Sequence, residues 1–100
     1  MKIKTQAVKF NADSKLITFI EEKLPKVEQF YDRIISAEVT LKLENSGQVR
    51  DKIAEVRINV PGTVLITKET EKTFEAAIDS AVGSLKRQII KHKEKLAAKR

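Results

Sequence analysis

The chain has no cysteine, no tryptophan, one histidine, one tyrosine, two prolines and three glycines in 100 residues. Without cysteine there are no disulfides and no thiolate metal sites, which fits a reducing cytosol. The lone histidine, His92, cannot form a histidine–metal cluster by itself. It falls near the centre of the last helix's apolar face, close to the chain end, and reads as a packed or end-of-helix residue. Gly47, Gly62 and Gly83 are scattered and make no phosphate-cradling loop. Ser14, Ser36, Ser46, Ser80 and Ser84 sit in no nucleophile-elbow pattern. Glu21, Glu22 and Glu28 read as a solvated helix face. The opening MKIKTQAVKF is too polar for a signal peptide, and no apolar run approaches the ~20 residues of a membrane span. These absences lead us to expect no enzyme activity, no cofactor, no small-molecule substrate and no membrane insertion.

What the chain does have is charge. Charged residues make up 34% of it, the net charge is +6 and the pI is near 9.7. Hydrophobic residues at 41% are enough for folding. The length suits one domain with one core, so residues 1–100 are read as a single domain. A basic balance favours an anionic partner such as nucleic acid or a membrane surface, although it also serves plain solubility.

The positive charge is concentrated in Thr73–Arg100, TFEAAIDSAVGSLKRQIIKHKEKLAAKR. At ~100° per residue, Phe74, Ile78, Ala81, Val82, Leu85, Ile89 and Leu96 share one face, broad enough to pack on a sheet. Arg87, Lys91 and Lys95 line one flank of that face, and Lys86, Lys93 and Arg100 line the other. Glu75 and Asp79 occupy the first turns and bases crowd the last, as the helix dipole favours. Dipole complementarity and ordinary solvation explain part of this pattern. Its density, with Lys99 added, points further to anion binding. Cation-rich helix faces suit phosphate contacts. The aromatics Phe10, Phe19, Phe30, Tyr31 and Phe74 are mostly used by the core pattern. They form no stacking platform for single strands, so structured RNA read by shape is the better fit.

The remaining elements follow from periodicity. Lys2–Lys9 alternates weakly as a strand, with Ile3, Thr5 and Ala7 on one side. Asp13 is the expected N-cap of a helix over Lys15–Tyr31. Leu16, Ile17, Phe19, Ile20, Leu24, Val27, Phe30 and Tyr31 form the apolar arc of that helix. Lys15, Lys23 and Lys26 lie on one edge of the arc. Pro25 should kink or break the helix near Glu21–Glu22, where a hydrogen bond is lost. Ala37–Glu44 and Lys52–Val60 alternate cleanly as half-buried strands, joined by a turn at Asn45–Gln48. Pro61-Gly62 marks the next turn. Thr63–Lys68 is a fourth strand whose facing is ambiguous, because Val64, Leu65 and Ile66 run together. Thr70 or Thr73 caps the long helix. The order β-α-β-β-β-α predicts an α+β two-layer sandwich with both helices on one face of a four-stranded sheet. The first two strands would be parallel if adjacent. Side by side, the helices would bring their basic edges onto one outer surface.

Three segments, EQFYDRI at Glu28–Ile34, LKLE at Leu41–Glu44 and FEAAID…LKRQIIKHKEK at Phe74–Lys95, resemble the ribosome hibernation promoting factor family, also called ribosome-associated inhibitors. The similarity covers nearly the whole chain, and the last segment is its specific part. The resemblance implies a fold akin to double-stranded RNA-binding domains. It also implies binding to the small ribosomal subunit and its ribosomal RNA at the decoding region, where transfer and messenger RNA would sit. Translation would be silenced by occlusion, in the cytoplasm, by a protein that is monomeric off the ribosome. The basic positions carried over are Lys23, Lys26, Arg87, Lys91, Lys93 and Lys95, with Lys42 on the second strand and Lys86 beside them. Pro25 and Glu75 depart from the family pattern. The chain stops soon after the helix and so resembles the short form. A general double-stranded RNA-binding module is the alternative reading, and a peripheral membrane helix a third.

Overall fold

The computed structural model describes residues 1–46 and 49–98, with side chains at 45, 46, 49 and 50 excepted. In chain order it contains β1 (Lys2–Ala7), α1 (Ser14–Lys23), a 3-10 segment (Leu24–Gln29), β2 (Ser36–Ser46), β3 (Val49–Val60), β4 (Thr63–Glu71) and α2 (Phe74–Ala98). Of the expected Asn45–Gln48 turn, Asn45 and Ser46 belong to β2, while Gly47 and Gln48 lie outside the described residues. Lys99 and Arg100 lie outside them too.

The four strands form one sheet in the order β1-β2-β3-β4. β1 runs parallel to β2, with Lys2 opposite Ser36 and Ala7 opposite Leu41. The other two pairings are antiparallel. Strand side chains alternate between faces. One face therefore buries Ala37, Val39 and Leu41 from β2 and Ala54, Val56, Ile58 and Val60 from β3. They share a core with Leu16, Ile20, Leu24 and Val27, and with Phe74, Ala77, Ile78, Ala81, Leu85 and Ile89. The expected α+β two-layer sandwich, with both helices on one face, is the observed fold.

Three local features were not legible in the sequence pattern. On β4, Leu65 is half-buried and Thr67 buried on the helix side, while Val64 and Ile66 are 37% and 55% exposed. This resolves the ambiguous apolar run in favour of an edge strand with one wet face. Ile53 is buried although it alternates with Ala54. It lies on the open face between its pairing partners Lys42 and Thr70. Leu96, expected on the packing face of α2, is 45% exposed. The buried positions of α2 end at Ile89; beyond it only His92 is partly covered, by Tyr31, and residues 93–98 are exposed.

The first helix is shorter than expected. Asp13 caps it as predicted, accepting a hydrogen bond from the Leu16 backbone N–H at 2.8 Å. The α-helix persists through Glu21–Glu22 and gives way only at Leu24, whose N–H still reaches the Ile20 carbonyl. Pro25 has no N–H for Glu21, so the next bond of the ladder cannot form and the tighter 3-10 winding takes over. The break therefore falls at the proline, not one turn before it. The 3-10 segment still delivers Leu24 and Val27 to the core. Thr73, not Thr70, caps α2: its hydroxyl accepts from the Ala76 N–H at 3.0 Å, while Thr70 pairs with Ile53 in the sheet.

Candidate nucleic-acid interface

The two helices run in the same direction across the sheet. At their starts, Phe74 of α2 shares a recess with Leu16 and Phe19 of α1, and Phe10 stacks on Phe74 at 5.2 Å. Further along, the Lys86 ammonium lies 4.9 Å from the centre of the Phe30 ring. Further still, the His92 ring meets Tyr31 edge-on at 5.6 Å. These contacts fix how α2 is turned. Its Lys86–Lys93 flank faces the first helix and the segment that follows it.

The opposite flank of α2 lies against β4 through polar contacts. Ser80, Ser84 and Gln88 recur every fourth residue, which places them in one row. The Ser80 hydroxyl donates to Glu71 at 3.4 Å, and the Thr67 hydroxyl, which donates to Glu69 at 2.9 Å, is hydrogen-bonded to that of Ser84 at 3.1 Å. The Gln88 side-chain amide donates to the Ile66 carbonyl at 3.0 Å. Arg87, Lys91 and Lys95 follow the same flank, turned toward solvent, and all three are exposed. The long helix thus carries two cation rows on opposite flanks. Only one of them faces α1. Lys86 and Lys93 are on the flank toward Phe30, Tyr31 and Arg33, and the Arg87 row is on the flank toward β4.

Lys23 is half-buried and holds its ammonium 5.6 Å from the Phe19 ring. Such cation–π contacts favour a defined side-chain position while leaving the charge accessible. Lys26 is exposed on the 3-10 segment. That segment winds at three residues per turn, so Lys26 does not continue the wheel edge drawn through Lys15 and Lys23. Lys42 is separated from all of these. It alternates onto the open face of the sheet, where it pairs with Glu55 at 3.2 Å. The helix cations Lys23, Lys26, Lys86, Arg87, Lys91, Lys93 and Lys95 take part in no ion pair among the described residues, whose pairs are Met1–Glu28, Lys42–Glu55 and Lys72–Asp51. Their charge is available to an external anion.

Arg33 is a cation that pattern reading passed over. It lies beyond the helical arc and beyond any strand, so no periodicity marks it. The fold nevertheless sets it beside Tyr31, Lys93, Leu96 and Ala97 around a shallow recess. The His92 Nε2 is buried without a hydrogen-bond partner among the described residues. No group of three or more His, Cys, Asp or Glu that could hold a metal ion occurs among the described residues. No described helix is long and apolar enough to cross a membrane.

The chain is similar to the ribosome hibernation promoting factor of Azotobacter vinelandii, 32% identical over 95% of this chain and 85% of that protein. It is 37% identical to the factor of the same name from Klebsiella oxytoca, over 78% of each. Among solved structures, it resembles the N-terminal domain of Thermus thermophilus Protein Y with a TM-score of 0.80 and 26% identity, covering 92% of this chain and 99% of that one. A ribosomal subunit interface protein from Coxiella burnetii shares the fold at a TM-score of 0.82 and 18% identity, over 94% of this chain and 99% of that one. A family model described as sigma 54 modulation protein / S30EA ribosomal protein matches residues 3–97, and the chain belongs to that family.

Proposed function

We propose that this protein is a ribosome hibernation factor that binds the small ribosomal subunit and silences translation by occupying the channel of transfer and messenger RNA. The observation that carries this reading is the set of helix cations with no ion-pair partner among the described residues, in a chain whose relatives are named ribosome hibernation promoting factors. Cations on rigid helices contact phosphates with little ordering cost and read backbone shape in preference to base identity. Lys23, Lys26, Lys86, Arg87, Lys91, Lys93 and Lys95 form the contact surface in this reading. Lys42, paired on the opposite face, adds only long-range attraction. The action needs no cofactor and no bond chemistry. The protein acts in the cytoplasm as a single domain that is monomeric off the ribosome.

The test is co-sedimentation with purified small subunits, in competition with initiator transfer RNA. Mutual exclusion is expected. Binding that is unchanged with the transfer RNA sites filled would remove the occlusion mechanism. A second arm uses an arbitrary RNA duplex. Affinity for it equal to that for subunits would favour the general duplex-binding module.

A further inference from the structure

We propose that the recess between the 3-10 exit and the C-terminal half of α2 receives one unpaired nucleotide, with its base on an apolar side and its phosphate between two cations. This rests on the reading of the protein as an RNA binder and adds a site to it. The recess is lined by Tyr31, Arg33, Lys93, Leu96 and Ala97 and has a volume of about 330 Å³, against about 450 Å³ for the entrance recess at the helix starts. A volume of this size is at the small end for organic-ligand sites and suits a single base.

Three observations separate this recess from the rest of the cationic surface. First, it pairs Arg33 with Lys93, and neither has an ion-pair partner among the described residues. An arginine fork beside a lysine is suited to a phosphate. Second, Leu96 and Ala97 give it an apolar side beside the two cations. Leu96 is 45% exposed at the stretch of α2 that the sheet no longer covers, and Ala97 leaves room beside it. A cation row meant only for phosphates has no use for an uncovered leucine, whereas a base has an apolar face to lay on it. Third, the wall is fixed. Tyr31 is 9% exposed and braced edge-on by His92, so the recess does not depend on ligand to take shape. The entrance recess lacks this combination, because Asp13 and Glu75 line it beside its one lysine, Lys15. A paired base, held inside a duplex, cannot enter, so the occupant is an unstacked nucleotide.

The experiment uses the full chain and purified small ribosomal subunits. Leu96→Gln removes the apolar side without changing charge, at an exposed position that leaves folding intact. Lys93→Gln removes a phosphate contact and keeps the apolar side. Leu96→Gln should weaken subunit binding by about 5-fold through lost apolar burial, with an unchanged salt slope because no phosphate contact is removed. Lys93→Gln should weaken binding and flatten the slope by about one contact. A benzophenone side chain introduced at Ala97 should cross-link to one unpaired nucleotide, read as a reverse-transcription stop. Wild-type affinity in Leu96→Gln, or cross-links confined to paired nucleotides, overturns the proposal. Failure of the unaltered protein to bind subunits would instead remove the underlying function, so the two failures are distinguishable.

Discussion

Replacing Arg87, Lys91 and Lys95 together by glutamine separates what α2 does for the fold from what it does for binding. All three are exposed, and none takes part in an ion pair among the described residues. Their spacing puts like charges at i and i+4 twice, an arrangement that costs a few tenths of a kcal/mol per pair before screening. Lys95 alone lies in the last turn, where a cation favours the helix dipole by a similar amount. Gain and loss are of the same size, and glutamine keeps the helix propensity. The melting temperature should therefore stay within a few degrees of wild type. Binding should change far more. At about 0.7–0.9 in log slope per phosphate, three lost contacts flatten the salt dependence by about 2–3. Over a fourfold rise in salt, wild type would then lose roughly 20- to 40-fold more affinity than the variant. Anisotropy of labelled protein titrated with small subunits at several salt concentrations reads this directly. Equal slopes in the two proteins would show that the Arg87 row makes no phosphate contacts. The Lys86–Lys93 flank would then be the binding side.

Leu85→Ala should destabilise the protein by about 2–5 kcal/mol in urea unfolding, because Leu85 is fully buried between α2 and the sheet. The same change at Leu96 should cost less than about 0.5 kcal/mol, and a large effect there would mean that the last turns are covered after all. Gly83→Ala should raise stability by roughly 0.5–1 kcal/mol in thermal unfolding. The added Cβ would meet only Arg87 Nη1 at 3.9 Å, an ordinary contact. A lowered melting temperature would refute that account.

Much of the fold can be read from residue periodicity. The alternation at Ala37–Leu43 and Ala54–Val60 assigns both faces of the central strands, because each of these strands has one wet side. Where both sides of a strand carry apolar residues, as at Val64–Ile66, only the position at the sheet edge decides. Pro25 announces a break without locating it. The lost hydrogen bond belongs to Glu21, yet the winding changes where the donor is missing. The cations of α2 are visible as two rows. Their partners are not, since a helical wheel does not say which flank meets β4. Ser80, Ser84 and Gln88 hold that information, as a polar row unneeded by a wholly apolar interface. A matching position on a strand, such as Lys42, does not by itself say which face of the sheet its side chain joins. Arg33 was hidden for the opposite reason. It sits in irregular chain, where spacing carries no signal.

The position of β1 has a consequence for the order in which the protein gains and loses structure. β2, β3 and β4 form a meander of neighbouring strands, and the last of its turns spans only Pro61-Gly62. β1 must instead be brought across more than thirty residues to lie beside Ser36–Leu41, and closing that loop carries an entropy cost the meander avoids. It is also an edge strand, with neighbours on one side only. The chain is therefore expected to contain a tight cooperative unit of meander plus α2, and a looser unit of β1 plus α1. Lys23 belongs to the looser unit, and Lys86 and Lys93 to the tighter one. An anion held across that seam would tie the two units together, so binding would protect β1 amides against hydrogen exchange without touching them.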